Sequence, residues 1–125
     1  MSYNVTITAT SRFLTNAKRL AKKYSSLKGD LIELNNQLII NPTLGVQIKK
    51  NIYKIRLAIK SKNKGKSGGA RVITYYFDEN ETQIELFLLT IYDKSNQSEI
   101  EDYELSELIT NVEKIIEDRN SQEEE

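Results

Sequence analysis

Six side chains in this sequence have the types and spacing to handle phosphate. Lys54, Arg56 and Lys60 alternate with Tyr53, Ile55, Leu57 and Ile59 in the stretch IYKIRLAIK (52–60). An extended chain therefore carries the cations on one face and the apolar groups on the other. Arg71 follows Gly68-Gly69 and opens the next extended stretch, and Tyr92 and Lys94 share a parity at the end of the one after it. Arginine forks onto two phosphate oxygens, and lysine adds a compact point charge. If the phosphate belongs to RNA, its neighbouring 2′-hydroxyl is a built-in nucleophile. Cleavage then needs a base for that hydroxyl, cations for the dianionic phosphorane and an acid for the leaving 5′-oxygen. Arg and Lys supply the second of these electrostatically. A cationic neighbourhood lowers the pKa of a nearby Lys or Tyr, which suits either to the other two roles. No metal is required for that route, and no small-molecule cofactor is expected. The same cations also fit a plain solvated sheet face.

Other chemistries fall away. The chain has no Cys and no His, so it has no disulfide framework, no thiolate metal site and no imidazole base. No zinc or calcium ligand spacing occurs. Gly65-Lys66-Ser67 has the ending of a phosphate-binding P-loop, but Lys60 stands where that loop needs its first glycine. A strand is also expected after the segment where the P-loop has a helix. Glu104, Glu107 and Glu113 are scattered along a helical stretch and read as a solvated face.

The net charge is zero, but the charges are segregated. Residues 1–77 carry 15 Lys/Arg against Asp30 and Glu33 alone, and residues 78–125 carry 16 Asp/Glu against Lys94, Lys114 and Arg119 alone. An acid-free stretch runs from Leu34 to Phe77. That asymmetry points to an anionic partner for the first part, unless the two signs mix once folded. No apolar run reaches the roughly 18 residues of a membrane span, and the first ten residues lack the pattern of a secretory leader. A cytoplasmic protein is expected.

The elements that must position the cations follow from periodicity. YNVTITA (3–9) alternates as a strand. Thr10 or Ser11 caps a helix with Phe13, Ala17, Leu20, Ala21, Tyr24 and Leu27 on one stripe and a basic outer face. Asp30 and Glu33 have capping-box spacing for a second helix that ends at Asn41-Pro42. Residues 41–50 read as a loop, 52–60 and 70–77 as strands, and 61–69 as a flexible basic loop. IELFLLTIY (84–92) reads as a central strand covered on both faces. A final helix carries Leu105, Leu108, Ile109, Val112, Ile115 and Ile116. The expected order is β-α-α-β-β-β-α, an α+β fold with an antiparallel sheet and the helices on one side of it. Residues 1–118 form one domain, and 119–125 an acidic, disordered tail.

The segments Tyr53-Lys54-Ile55-Arg56-Leu57, Lys66-Ser67-Gly68-Gly69-Ala70-Arg71-Val72-Ile73 and Leu88-Leu89-Thr90-Ile91-Tyr92-Asp93-Lys94, in that order and spacing, resemble the RelE/ParE superfamily of toxins from type II toxin–antitoxin systems. The RelE- and HigB-like branch is the nearest, and Asn41-Pro42 and Gly45 also fit. The resemblance covers nearly the whole chain. It implies a compact microbial RNase fold and a toxin that enters the ribosomal A site, cuts mRNA and is silenced by a cognate antitoxin. The family's strand cations carry over to Lys54 and Arg56, its post-glycine arginine to Arg71 and its lysine after the last strand to Lys94. The basic residue expected next is Ser95 here. The family tyrosine near the last helix matches Tyr103 approximately, with Tyr92 as a second candidate. Lys60, Lys62, Lys64 and Lys66 are expected to hold the RNA backbone. A ParE-like gyrase inhibitor without nuclease chemistry, or a degenerate antitoxin-binding module, would use the same fold.

Overall fold

The computed structural model describes residues 4–124, so Tyr3 and residue 125 lie outside the described residues. The chain runs β1 (Asn4–Ala9), α1 (Ser11–Lys23), α2 (Leu27–Ile40), β2 (Val46–Lys49), β3 (Ile52–Leu57), a 3-10 turn (Lys60–Lys62), β4 (Ala70–Asn80), β5 (Gln83–Asp93) and α3 (Asp102–Glu124). One five-stranded sheet has the order β1-β5-β4-β3-β2. The antiparallel β3-β4-β5 meander matches the expectation. Two features correct it. β1 runs parallel to β5, which makes the sheet mixed. The presumed loop 41–50 also contains β2, paired antiparallel with β3 through Val46–Lys54 and Gln47–Tyr53. Four residues between Gly45 and a turn at Asn51 (φ 65°) are too few to show a period-two pattern above the turn residues around them.

Thr10 caps α1 as expected: its hydroxyl accepts a hydrogen bond from the Phe13 amide at 3.3 Å. The capping box at Asp30 and Glu33 is not formed. α2 begins three residues earlier and passes through Gly29, and Asp30 is buried inside it. The Asp30 carboxylate accepts from the Ser26 hydroxyl at 2.8 Å and the Lys60 amide at 3.2 Å.

The helices do not share one side of the sheet. α1 and α2 pack Phe13, Ala17, Leu20, Leu27, Leu34 and Leu38 against Ile55, Leu57, Val72, Leu86, Leu88 and Ile91. α3 packs Leu105, Leu108 and Val112 against the opposite face, on Ile52, Ile73, Phe87 and Leu89. β5 is therefore apolar on both faces because it is covered on both. Full burial of each such side chain contributes about 1.5–3 kcal/mol. α3 also continues through 119–124, where a tail was expected. Arg119 anchors it, donating to both Glu85 carboxylate oxygens at 2.5 and 3.2 Å and lying over the Phe87 ring.

Two local devices shape the site. A bulge leaves Leu89 without a cross-strand partner between the pairs Thr74–Leu88 and Ile73–Thr90. The extra residue reverses the parity of β5, so that Leu88 faces α1 and α2 whereas Tyr92 faces α3. Gly69 lets the β3–β4 connection close, since a Cβ there would lie 2.1 Å from the Leu57 carbonyl oxygen.

Candidate nucleic-acid interface

Register places the predicted cations together. Arg56 stands opposite Arg71 across β3 and β4, and Arg71 stands opposite Tyr92 across β4 and β5. Directly opposed residues project to the same face, so Arg56, Arg71 and Tyr92 form one rank. Lys54, opposite Ile73 and two residues from Arg56, lies on that same face. The helix α3 covers this face over β4 and β5 and leaves Arg56 exposed on β3. Two arginines directly opposed repel and cost stability. Neither Lys54 nor Arg56 has an ion-pair partner among the described residues. A cation pair left uncompensated on a rigid sheet is suited to an anion from outside.

The rank is not uniformly accessible. Arg71 is only 5% exposed. One of its guanidinium nitrogens donates to the Lys66 carbonyl at 3.0 Å and the Ala70 carbonyl at 3.2 Å, and the other to the Ser67 carbonyl at 3.2 Å. Arg71 therefore ties the β3–β4 loop to the sheet and adds its charge from beneath. Lys62, expected to reach RNA, is turned inward with an 8% exposed side chain. Its ammonium donates to Asp93 Oδ1 at 2.6 Å and to the Ser95 hydroxyl at 2.5 Å. A buried ammonium requires such a partner, because unpaired burial costs several kcal/mol. Lys60 is exposed and bonds the Glu33 carboxylate at 3.0 Å; that bond, with the attraction of the same charge, raises its pKa. Lys64 and Lys66 are exposed on the loop.

Asp93 is the hub the sequence reading did not pick out. Besides Lys62 it accepts from the Tyr24 hydroxyl at 2.6 Å and from the Ser95 amide at 2.9 Å, and Lys23 lies 3.9 Å away. Burial pushes its pKa up, but the hydrogen bonds from Lys62, Tyr24 and Ser95 outweigh burial and hold it down at about 2. The same bond to Asp93 raises the Tyr24 phenol. The network joins α1, the loop and the end of β5. The available signal was a carboxylate closing an otherwise apolar strand, which must be paired if it is buried.

The remaining candidates differ in reach. Tyr92 is buried, with its hydroxyl unpartnered among the described residues. Burial raises its pKa; Arg71 opposes that shift, and Glu99 and Glu104 add to it. Tyr103 is 75% exposed in the first turn of α3. The Lys94 ammonium donates to the Ser98 carbonyl at 3.2 Å, and its backbone amide to the Gly69 carbonyl at 3.0 Å. Lys94 thus sits where β5 leaves the rank, beside the glycines that aim Arg71. Among the described residues no group of His, Cys, Asp and Glu could hold a metal ion, and no helix is long and apolar enough to cross a membrane.

No family model matches the sequence. Among solved structures, the chain is similar to a mutant of the Escherichia coli toxin RelE in the free state, with 18% identity and a TM-score of 0.51 over 90% of this chain and 99% of that one. The fold is RelE-like: a mixed sheet of five strands with helices on both faces.

Proposed function

We propose that this chain is the toxin of a type II toxin–antitoxin system, a metal-independent endoribonuclease that cuts mRNA on the ribosome in the cytoplasm. The observation that carries the reading is the uncompensated pair Lys54 and Arg56 beside the opposed Arg71, on a RelE-like fold. An RNA phosphate seated on β3 would take two bonds from the Arg56 fork and a point charge from Lys54. Attack by the 2′-hydroxyl then forms the phosphorane, whose added negative charge these groups stabilise. Arg71 strengthens the field from below while bracing the loop that carries Lys64 and Lys66. Tyr103 and Lys94 are the proton-transfer candidates on the open side, and Tyr92 is the buried one. The raised phenol pKa keeps Tyr92 protonated, so it can give a hydrogen bond from beneath but is a poor proton-transfer group.

The test is induction in a bacterial host with mapping of mRNA 5′ ends. Growth should stop and cuts should appear at codon-defined positions. Lys54→Ala with Arg56→Ala should reduce cutting by about a hundredfold, a common cost for removing groups that stabilise a charged transition state. Full cutting by that variant would discard the site.

A second reading, a ParE-like gyrase-binding module, is favoured by the burial of Arg71 and Tyr92. A binder does not need them to touch a phosphate. Inhibition of gyrase supercoiling with translation untouched would select it.

A further inference from the structure

α1 and α2 pack on the same face of the sheet, yet their outer surfaces differ. α1 turns Lys18, Arg19 and Lys22 to solvent. From Leu34 to Ile48, through the second half of α2, the turn after it and β2, the chain has no charged residue. α2 places Leu27, Leu34 and Leu38 in the core. A second apolar pair on the same helix, Ile32 and Ile39, is 55% and 53% exposed. A helix that is apolar on two sides is normally covered on both, and this fold covers one of them.

Ile32, Asn35, Asn36 and Ile39 stand at i, i+3, i+4 and i+7, the spacing of a helix packing seam. All four are exposed. The seam reads the same in both directions, with its centre between Asn35 and Asn36. Laid antiparallel on a copy of itself, about a two-fold axis at that centre, each Ile32 meets the Ile39 of the other copy. Each Asn35 then meets the other Asn36. The two isoleucine contacts lie about 10.5 Å apart along the helix. Carboxamides both donate and accept, so they satisfy one another across such an axis, where like charges would repel. Two neighbours fit the same arrangement. Gly29 weakens the helix interior, and nothing lies within 4 Å of where its Cβ would be; the missing side chain lets a second backbone come close. Lys28 is exposed with no ion-pair partner among the described residues, and the last turn of α2 has no basic residue. The antiparallel pairing brings the Lys28 ammonium of one copy toward the C-terminal carbonyls of the other α2, where the helix dipole favours a cation.

We infer that the outer stripe of α2 is the contact surface of a two-fold dimer of this chain, with the two α2 helices antiparallel and crossing at Asn35 and Asn36. Other occupants match the surface less well. A nucleic acid needs cations on its phosphates, and the stretch 34–48 has none. A charged segment of a foreign protein finds no opposite charge there. A second copy brings the same isoleucines and carboxamides in the order that the first one requires. The seam is short, so the dimer is a transient one, with a dissociation constant on the order of 100 µM. α2 packs on the sheet face opposite α3, whereas Lys54 and Arg56 stand on the α3 face. Each copy therefore keeps its cation pair clear of the contact, and the dimer presents two such pairs. The pairing does not rest on the toxin reading.

The test is sedimentation equilibrium of the full chain from about 5 to about 500 µM, a range that brackets such a constant. The mass should rise from 14.4 kDa toward twice that value. Ile39→Glu and, separately, Asn36→Lys should each weaken association at least about tenfold, because each sets an unpaired charge in the seam. Both positions are exposed, so the far-UV circular dichroism of either variant should match that of the unaltered chain. Ile32→Lys combined with Ile39→Glu in one chain should restore the dimer, since antiparallel pairing sets each new charge against its opposite. Parallel pairing would set each against its own kind. A monomer at every concentration, a dimer indifferent to both single variants, or a double variant that stays monomeric would overturn the inference. These masses are read whether or not the chain cuts RNA, so failure of the toxin reading leaves the dimer standing.

Discussion

Two cationic regions of this protein, a few residues from each other, are built from the same residue types and are paired in opposite ways. On β3, Lys54 and Arg56 stand without carboxylate partners among the described residues, on a face that α3 leaves partly open. In the knot at the strand ends, Lys62 and Arg71 are buried and their donors are used. Lys62 is spent on Asp93 and Ser95, and Arg71 on the carbonyls of residues 66, 67 and 70. The first region leaves its charge unpaired among the described residues. The second has already used its own to fix the loop that frames the first. A count of lysines and arginines cannot separate the two, because what differs is the number of protein acceptors within reach.

The comparison can be broken from its structural side first. Asp93→Ala leaves the Lys62 ammonium buried without its counter-charge, and stability in urea should fall by about 3–5 kcal/mol. A loss below 1 kcal/mol would mean that Lys62 swings out to solvent, and the contrast between the regions would vanish. Next in size, the Lys54→Ala and Arg56→Ala double variant should do the reverse. It should lose the hundredfold in cutting while its urea midpoint shifts by no more than about 0.5 kcal/mol. A large stability loss there would show that these cations are structural too.

Acid sharpens the same point. Asp93 is held at about 2 against an ordinary value of 3.8, so its contribution is full above the ordinary value and is lost as the pH falls through the folded one. Stability should drop by about 2 kcal/mol between pH 5 and pH 2 on this account. In Asp93→Asn that part of the acid dependence should disappear; an unchanged pH profile would remove Asp93 from the hub. The smallest effect belongs to Lys60. Its pair with Glu33 is solvent-exposed, and Lys60→Ala should leave the urea midpoint unchanged within error. A clear fall in the midpoint would show that the α2 contact to the loop is part of the knot.

Much of this design was legible in the chain. Period-two alternation in 52–57 separated the Ile55 and Leu57 face from the Lys54 and Arg56 face, because a strand covered on one side must alternate. The apolar run 84–92 announced a strand covered on both sides. The position of α3 was implicit in that run, since two covered faces need two layers, although the expected fold kept all helices together. The Thr10 cap and the stripe of α1 were local and were read locally. Asp30 misled, because capping-box spacing is common and the competing solution, a helix started at Leu27 with Asp30 bonded inside, depends on the distant Lys60 amide.

By itself the sequence determined the order of the main elements, the two faces of β3 and the absence of any imidazole or thiol chemistry, because these follow from residue type and from periods of a few residues. Only the tertiary structure decided which cations remain free. That choice depends on the bulge at Leu89, which turns Tyr92 toward α3, and on the burial of Asp93, which captures Lys62 from the far end of a loop. Both are long-range packing outcomes, set by where a strand ends and what covers it, and no local pattern of residue types encodes them.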